Sequence, residues 1–266
     1  MTEVIRSFEP PHKRRRWWPW LLLMLALLVV AAVTLPASLA YRIIAERLVD
    51  VQAAGLSGTL WQGRASSLLV RGRDWGQLDW QLQPWPLIHG RTEVDAVLKG
   101  EGLDLLGRID RAADRALNLS RVRGQLDAAW LAPSLGLPLF IPTGQIELDL
   151  PLLQIDAEGR PLAVEGSALW RNAGFSGITR ASLGELVLRL SGRDGSIDGQ
   201  ISHTGAADLA LDGMLQMRGR IYRMEVRLRP DPAKAELVKA LQWVGQPMAD
   251  GGRLLIIEGE VQGWSR

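Results

Sequence analysis

Leu209-Ala210-Leu211-Asp212-Gly213-Met214-Leu215-Gln216-Met217-Arg218-Gly219-Arg220-Ile221 carries Leu209, Leu211, Gly213, Leu215, Met217, Gly219 and Ile221 at every second position. A period of two marks a strand with one buried and one wetted face. Leu78, Trp80 and Leu82 alternate with Gln77, Asp79, Gln81 and Gln83. Val94, Ala96 and Leu98 repeat the pattern, as do Ile146, Leu148 and Leu150, then Leu186, Leu188 and Leu190. Leu162, Val164, Gly166, Ala168 and Trp170 do the same. Glu158-Gly159-Arg160-Pro161 and Arg193-Asp194-Gly195 punctuate these runs as turns. Clean alternation favours antiparallel neighbours. A long meander of such strands curls into a half-pipe, a sandwich or an open barrel. Glycines at inward-phased positions, Gly166, Gly199, Gly213 and Gly219, allow strong coiling or bulges. The predicted fold class is therefore mainly β, a strongly curved antiparallel sheet.

The pattern is also duplicated. Gly58-Thr59-Leu60-Trp61-Gln62-Gly63 is echoed by Ser167-Ala168-Leu169-Trp170-Arg171-Asn172, and Gly76–Leu82 by Gly184–Leu190. Leu135-Gly136, Pro138 and Gly144 are answered by Val244-Gly245, Pro247 and Gly252. Residues 55–155 and 156–266 are read as two β repeats, with Trp61, Gly63, Trp80, Trp170, Gly184 and Gly245 as their structural signature. Asp231–Val244 reads as a short C-terminal helix, with Asp231 as cap, Pro232 at the first position and Gly245 as the stop. Its counterpart, Leu126–Leu135, is interrupted by Pro133. An active site would normally break such symmetry, and nothing in the sequence breaks it.

The N-terminus has a different character. Five basic residues, Arg6, Lys13, Arg14, Arg15 and Arg16, stand against Glu3 and Glu9 in the first sixteen positions, while the whole chain carries only +2. The basic charge is thus local, and the remainder is slightly acidic. Such a body lacks the basic surface that phosphate backbones require, so nucleic acid is not an expected partner. Residues 17–35 contain no charge and read as a membrane span. Trp17, Trp18 and Trp20 sit where an interfacial belt would lie, and Arg14, Arg15 and Arg16 assign residues 1–16 to the cytoplasm. Residues 36–54 follow as a stalk, in which Tyr41–Val51 suits a helix standing off the membrane. A cleaved leader is the alternative, since Ser38-Leu39-Ala40 resembles a cleavage site. The long apolar run and its tryptophans favour a retained anchor, and the basic export-type start looks bacterial.

Catalytic patterns are missing from the sequence. Cysteine is absent, and His12, His89 and His203 have no metal-ligand spacing. Gly55-Leu56-Ser57-Gly58 lacks the spacing of a nucleophile elbow, and Gly251-Gly252 precedes a strand where a phosphate loop would precede a helix. Asp104, Asp110 and Asp114 read as solvated carboxylates. Neither enzyme activity, nor a cofactor, nor a metal is expected. Trp61 and Trp170 are expected to plug the ends of their cores, and Trp80, Trp85, Trp130 and Trp243 to pack as buried aromatics. A carbohydrate-binding reading would instead expose Trp75, Trp85 or Trp264.

Gly55-Leu56-Ser57-Gly58-Thr59-Leu60-Trp61-Gln62-Gly63-Arg64-Ala65, with Leu78-Asp79-Trp80-Gln81-Leu82-Gln83-Pro84, resembles the type II secretion system protein N family. The ending agrees, through Leu228-Arg229-Pro230-Asp231, Glu236-Leu237, Ala240-Leu241, Gly245, Asp250-Gly251-Gly252-Arg253 and Gly259. The resemblance spans essentially the whole chain. It implies a non-enzymatic, inner-membrane-anchored periplasmic component of type II protein secretion. Such a component would scaffold contacts between the inner-membrane assembly platform and the outer-membrane secretin. The family is also similar to AsmA-like periplasmic proteins, which implies an alternative role in lipid binding or transfer. Other secretion subunits and membrane lipid are the implied partners, and the oligomeric state stays open.

Overall fold

The computed structural model describes residues 18–45, 50–111, 116–135, 140–156, 160–177 and 180–260. In chain order, helices α1 (Trp18–Val33) and α2 (Ala37–Ala45) precede strands β1 (Val51–Ala54), β2 (Ser57–Gly58), β3 (Gln62–Ala65), β4 (Ser67–Val70), β5 (Arg73–Asp74) and β6 (Gln77–Leu82). Helix α3 (Pro84–Leu87) leads to β7 (Thr92–Gly100), β8 (Leu103–Arg111) and β9 (Leu117–Asp127). A 3-10 turn (Ala128–Leu131) and helix α4 (Ala132–Leu135) lead to β10 (Phe140–Ile155), β11 (Pro161–Gly177), β12 (Ala181–Arg193), β13 (Ser196–Thr204), β14 (Leu209–Arg218) and β15 (Ile221–Pro230). Helix α5 (Ala235–Leu241), β16 (Gln246–Pro247) and β17 (Arg253–Glu260) close the described chain.

Fourteen of these strands form one antiparallel sheet in the order β16-β17-β15-β14-β13-β12-β11-β10-β9-β8-β7-β6-β3-β2, and β1-β4-β5 form a small second sheet. The two predicted repeats therefore lie in a single continuous sheet, joined where β10 pairs with β11. Its outermost strands, β2 and β16, do not pair with each other, so the sheet stays open and is not a barrel.

Register carries the apolar face unbroken from strand to strand. Leu78 lies opposite Leu98, Leu98 opposite Leu105, Ile146 opposite Leu126 and Trp170, and Trp170 opposite Leu186. At the other end Leu215 faces Met224, and Met224 faces Ile257. Coiling comes from register shifts at Thr143/Gln145, Asp149/Leu152 and Trp170/Ala173, each an extra residue that bends its strand. At the Arg193–Ser196 hairpin, Asp194 and Gly195 both have positive φ (53° and 73°), the two-residue turn that suits strand twist.

The expected alternation of Leu209–Ile221 ends earlier than its pattern suggests. Gly219, with φ 63°, lies in the turn between β14 and β15, and Arg218 pairs across it with Ile221. Helix 231–244 is also shorter than expected. The Asp231 carboxylate accepts from Ala233 N–H at 2.9 Å, holding a turn that delays the helix to Ala235.

Two apolar clusters occupy one margin of the sheet. One gathers Leu183, Leu186, Leu209, Val226 and Leu228 under Leu237 and Leu241 of α5. The other gathers Leu103, Leu126 and Ile146 around Ala128 of the 3-10 turn. Trp170 packs against both. Its indole N–H donates to Thr143 O at 2.9 Å, and its ring meets Phe175 edge-on at 6.0 Å.

The described part of the expected span over residues 17–35 is shorter than a membrane crossing needs. Helix α1 has sixteen residues, about 24 Å of rise against a hydrocarbon core of about 30 Å. Among the described residues no helix is long and apolar enough to cross a membrane. Thr34 closes the last turn, its N–H and hydroxyl both donating to Val30 O at 2.9 and 2.7 Å, and Pro36, which has no N–H, prevents a further one. Leu35 O then accepts from Leu60 N–H at 2.8 Å, and Pro36 bridges Thr59. The stalk segment is likewise tied to the sheet: Tyr41 donates its hydroxyl to Val51 O and accepts from Ala53 N–H.

Leu183 is fully buried at 0 % exposure. Leu183→Ala is expected to lower unfolding stability by about 2–5 kcal/mol, read from the urea midpoint with an unchanged m-value.

Candidate interaction surfaces

The two faces of the sheet differ in chemistry because the strands alternate. The inner face is apolar, and away from the two clusters its side chains are mostly half-buried. The outer face carries cross-strand ion pairs, which stabilise modestly when exposed. Arg64 meets Asp79 at 2.5 Å, Arg171 meets Glu147 at 2.7 Å, Arg123 meets Asp149 at 3.0 Å and Arg223 meets Glu258 at 3.0 Å. The best-ordered pair is a fork. Arg108 donates to both Asp95 oxygens at 2.7 and 2.8 Å, while Gln83 donates to the same carboxylate at 3.0 Å.

These donors hold the Asp95 carboxyl below its ordinary value, the Arg108 hydrogen bond being the main cause and partial burial opposing it. Asp212 is partly desolvated, yet hydrogen bonds from Arg229 and His203 outweigh that and lower it. His203, one of the three histidines, is thus engaged by Asp212 at 3.2 Å. Among the described residues no cluster of His, Asp or Glu could hold a metal ion.

The structure places the six repeat-signature residues along the sheet and at its margins, not in one site. Trp80 lies over Gly63, its cross-strand partner, so closely that a side chain at Gly63 would collide with the indole. This is an aromatic shielding an edge glycine. Tyr222 covers Gly259 in the same way near the opposite edge. Trp80 N–H donates to Leu60 O at 3.1 Å. Trp61 is half-buried in the segment before β3, outside the two clusters, and its carbonyl accepts from Leu82 N–H at 2.7 Å. Gly184 and Gly245 adopt φ of 74° and 60°, with backbone packed where a side chain would go. Of the predicted anchor residues, Trp17, Arg14, Arg15 and Arg16 lie outside the described residues. Trp18 begins α1, and Trp20 is exposed on it.

Two tryptophans expected to be buried are not. Trp85 is 75 % and Trp243 91 % exposed. Trp75 is engaged instead, meeting Trp130 edge-on at 4.9 Å, while the Arg73 guanidinium stacks 3.6 Å from the Trp130 ring. Trp264 lies outside the described residues.

Strand pairing leaves one long edge open. β17 pairs with β15 along its whole length, but on its other side β16 covers only Arg253 and Leu254. Residues 255–260 therefore have no described partner on that side. Met248 N–H reaches Gly252 O at 2.9 Å, so even-numbered residues of β17 direct their backbone groups outward.

The family of type II secretion system (T2SS) protein N matches residues 50–255. The chain belongs to this family. It is 26 % identical over 242 residues to the type II secretion system protein N of Aeromonas hydrophila, covering 86 % of this chain and 92 % of that protein. It is 28 % identical over 219 residues to the protein of the same name from Vibrio cholerae serotype O1, covering 76 % and 81 %. No solved structure matches the chain. The family match begins at residue 50, one position before β1, and ends within β17, so it covers the sheet and leaves out α1 and α2.

Asp95 has a depressed folded-state pKa, so its contribution is present above its unfolded value near 3.8 and is lost as pH falls through the folded value. Asp95→Asn is expected to cost about 1 kcal/mol or less at pH 7. Urea melts at a series of pH values should show the gap to wild type narrowing from about pH 4 downward.

Proposed function

We propose that this chain serves type II secretion as a non-catalytic scaffold, with α1 as its attachment to the inner membrane and the sheet projecting into the periplasm. Type II secretion follows from family membership. The observation that carries the scaffolding role is the open edge of β17. Within residues 255–260, Ile256, Glu258 and Glu260 direct backbone donors and acceptors outward, where no described strand uses them. Edge strands of this kind capture extended segments by main-chain pairing, which tolerates sequence variation in the partner. The partners in this reading are other secretion subunits, namely the inner-membrane assembly platform and the secretin.

The two-repeat organisation over 55–155 and 156–266 belongs to the same proposal. In each half a helical segment sits between two strands that pair with each other: the 3-10 turn and α4 between β9 and β10, and α5 between β15 and β17. A duplicated scaffold would present two similar capped margins.

Attachment through α1 is supported by its surface. Trp20, Leu23, Leu27 and Val30 are all more than half exposed, so the helix is apolar all round with no protein packed over those residues.

The test uses proline at an outward-facing amide. Ile256→Pro should leave β15–β17 pairing and the melting temperature nearly unchanged while abolishing crosslinks from the β17 edge to secretion subunits in intact envelopes. Retained crosslinking with Ile256→Pro would refute capture by this edge.

A second reading, lipid handling, is favoured by one observation: away from the two clusters, side chains of the inner apolar face such as Leu188 are only half-buried. Extraction of the purified full chain followed by lipid mass spectrometry separates the two. Phospholipid at about one molecule per chain, lost when Leu148 and Leu188 are replaced by Asn, supports the groove; lipid-free protein rules it out.

A further inference from the structure

The exposed Trp85 has neighbours that give it a purpose. Gln83-Pro84-Trp85-Pro86-Leu87-Ile88-His89-Gly90-Arg91 connects β6 to β7, and α3 forms its apex. Trp85 is 75 % and Ile88 71 % exposed, with Leu87 beside them. The loop is stiff: two prolines fix its backbone, His89 and Arg91 N–H both donate to Pro86 O at 2.9 and 3.1 Å, and Gly90 N–H donates to Leu87 O at 3.0 Å. A rigid turn that holds a tryptophan and an isoleucine in solvent fits no core role.

Its position fits a membrane. Leu60 N–H is bonded to Leu35 O just past the end of α1, and the next residue, Trp61, accepts from Leu82 N–H at 2.7 Å. The tip starts one residue beyond Leu82. Thus α1 leaves the body at the same sheet margin as the tip, within about two strand spacings, on the order of 10 Å. Trp243, by contrast, follows α5 at the opposite margin. Arg91 closes the loop, and Arg111, paired in register with Thr92, lies alongside; both are exposed. Tryptophan beside arginine is the composition of an interfacial contact, the ring at headgroup level and the cation on lipid phosphate.

We infer that Trp85, Leu87 and Ile88 form a second membrane contact, dipping into the interface beside α1 and fixing the tilt of the sheet against the bilayer. One attachment point leaves the sheet free to swing; two points on one margin define an orientation. This inference rests on the reading of α1 as the membrane attachment.

The chain has no cysteine, so single labels are unambiguous. Full-length His89→Cys, Val30→Cys and Trp243→Cys would carry an environment-sensitive fluorophore in vesicles of phosphatidylethanolamine and phosphatidylglycerol, with spin-labelled lipid as quencher. The expected result is several-fold stronger quenching at position 89 than at 243, lost when Trp85→Ser and Ile88→Ser are added, with circular dichroism unchanged. An unquenched label at position 89, or quenching that survives the serine substitutions or is matched at 243, overturns the second contact. The label at position 30 reports separately: if it stays unquenched, the attachment through α1 fails, whatever position 89 shows.

Discussion

A single sheet can hide an apolar face without a second layer only by coiling around it, and that constraint governs this molecule. Fourteen strands with one apolar side would expose a broad hydrophobic plane if they lay flat. Coiling requires close approach on the inside of the bend, and the sequence supplies it with small residues opposite large ones. Gly63 lies opposite Trp80, Gly166 opposite Leu190, Gly199 opposite Leu215 and Gly259 opposite Tyr222. At Gly199 the methyls of Leu190 and Leu215 already stand near 3.0–3.5 Å from where a Cβ would be. The glycines thus give up strand propensity in exchange for curvature.

Coiling leaves the two margins of the sheet unequal. At one margin α5 and the 3-10 turn close the apolar clusters, and Trp170 connects them through contacts with both. That indole sits where the two halves of the sheet meet, on the strand β11 that pairs with β10. The opposite margin has short hairpins, the tip at Trp85 and the attachment of α1. Buried apolar contacts are concentrated where helices cover the core.

Much of this was legible in the chain because a period of two survives even when burial is partial. Antiparallel pairing and curvature follow from alternation and the inward glycines, which left half-pipe, sandwich and open barrel as alternatives, and Asp194-Gly195 announced its turn. The misses have local causes. Gly219 and Ile221 continued the alternation of Leu209–Met217 only in sequence, since the two-residue turn reverses parity: Met217 faces Tyr222, and Ile221 faces Arg218 on the outer side. Asp231 and Pro232 carry helix-start chemistry, but the aspartate spends its hydrogen bond on a preceding turn. Trp85 and Trp243 were assigned to the core by residue type, whereas exposure depends on whether a second layer exists to receive them. In the uncharged stretch over residues 17–35 the approach of Pro36 limits the helix, but nothing there signals that Leu35 and Pro36 bond to the sheet.

The two outer edges are not equivalent as docking sites. At the β2 edge, Gly58 has φ 84° and its position is crowded by Gln62 O at 2.5 Å, so the strand turns away after two residues. Helix α2 packs against that same strand. At the β17 edge, β16 begins only at Gln246, opposite Leu254, because Gly245 before it turns the chain at φ 60°. Beyond it Ile256 and Glu258 alternate with Leu255, Ile257 and Gly259, so an incoming strand would meet both a polar and an apolar face in register with those of the sheet. The turn at Gly245 keeps the covering strand short, and the uncovered length of six residues matches a typical strand. The geometry that protects one edge therefore leaves the other available, and a partner strand added at β17 would continue the same coil.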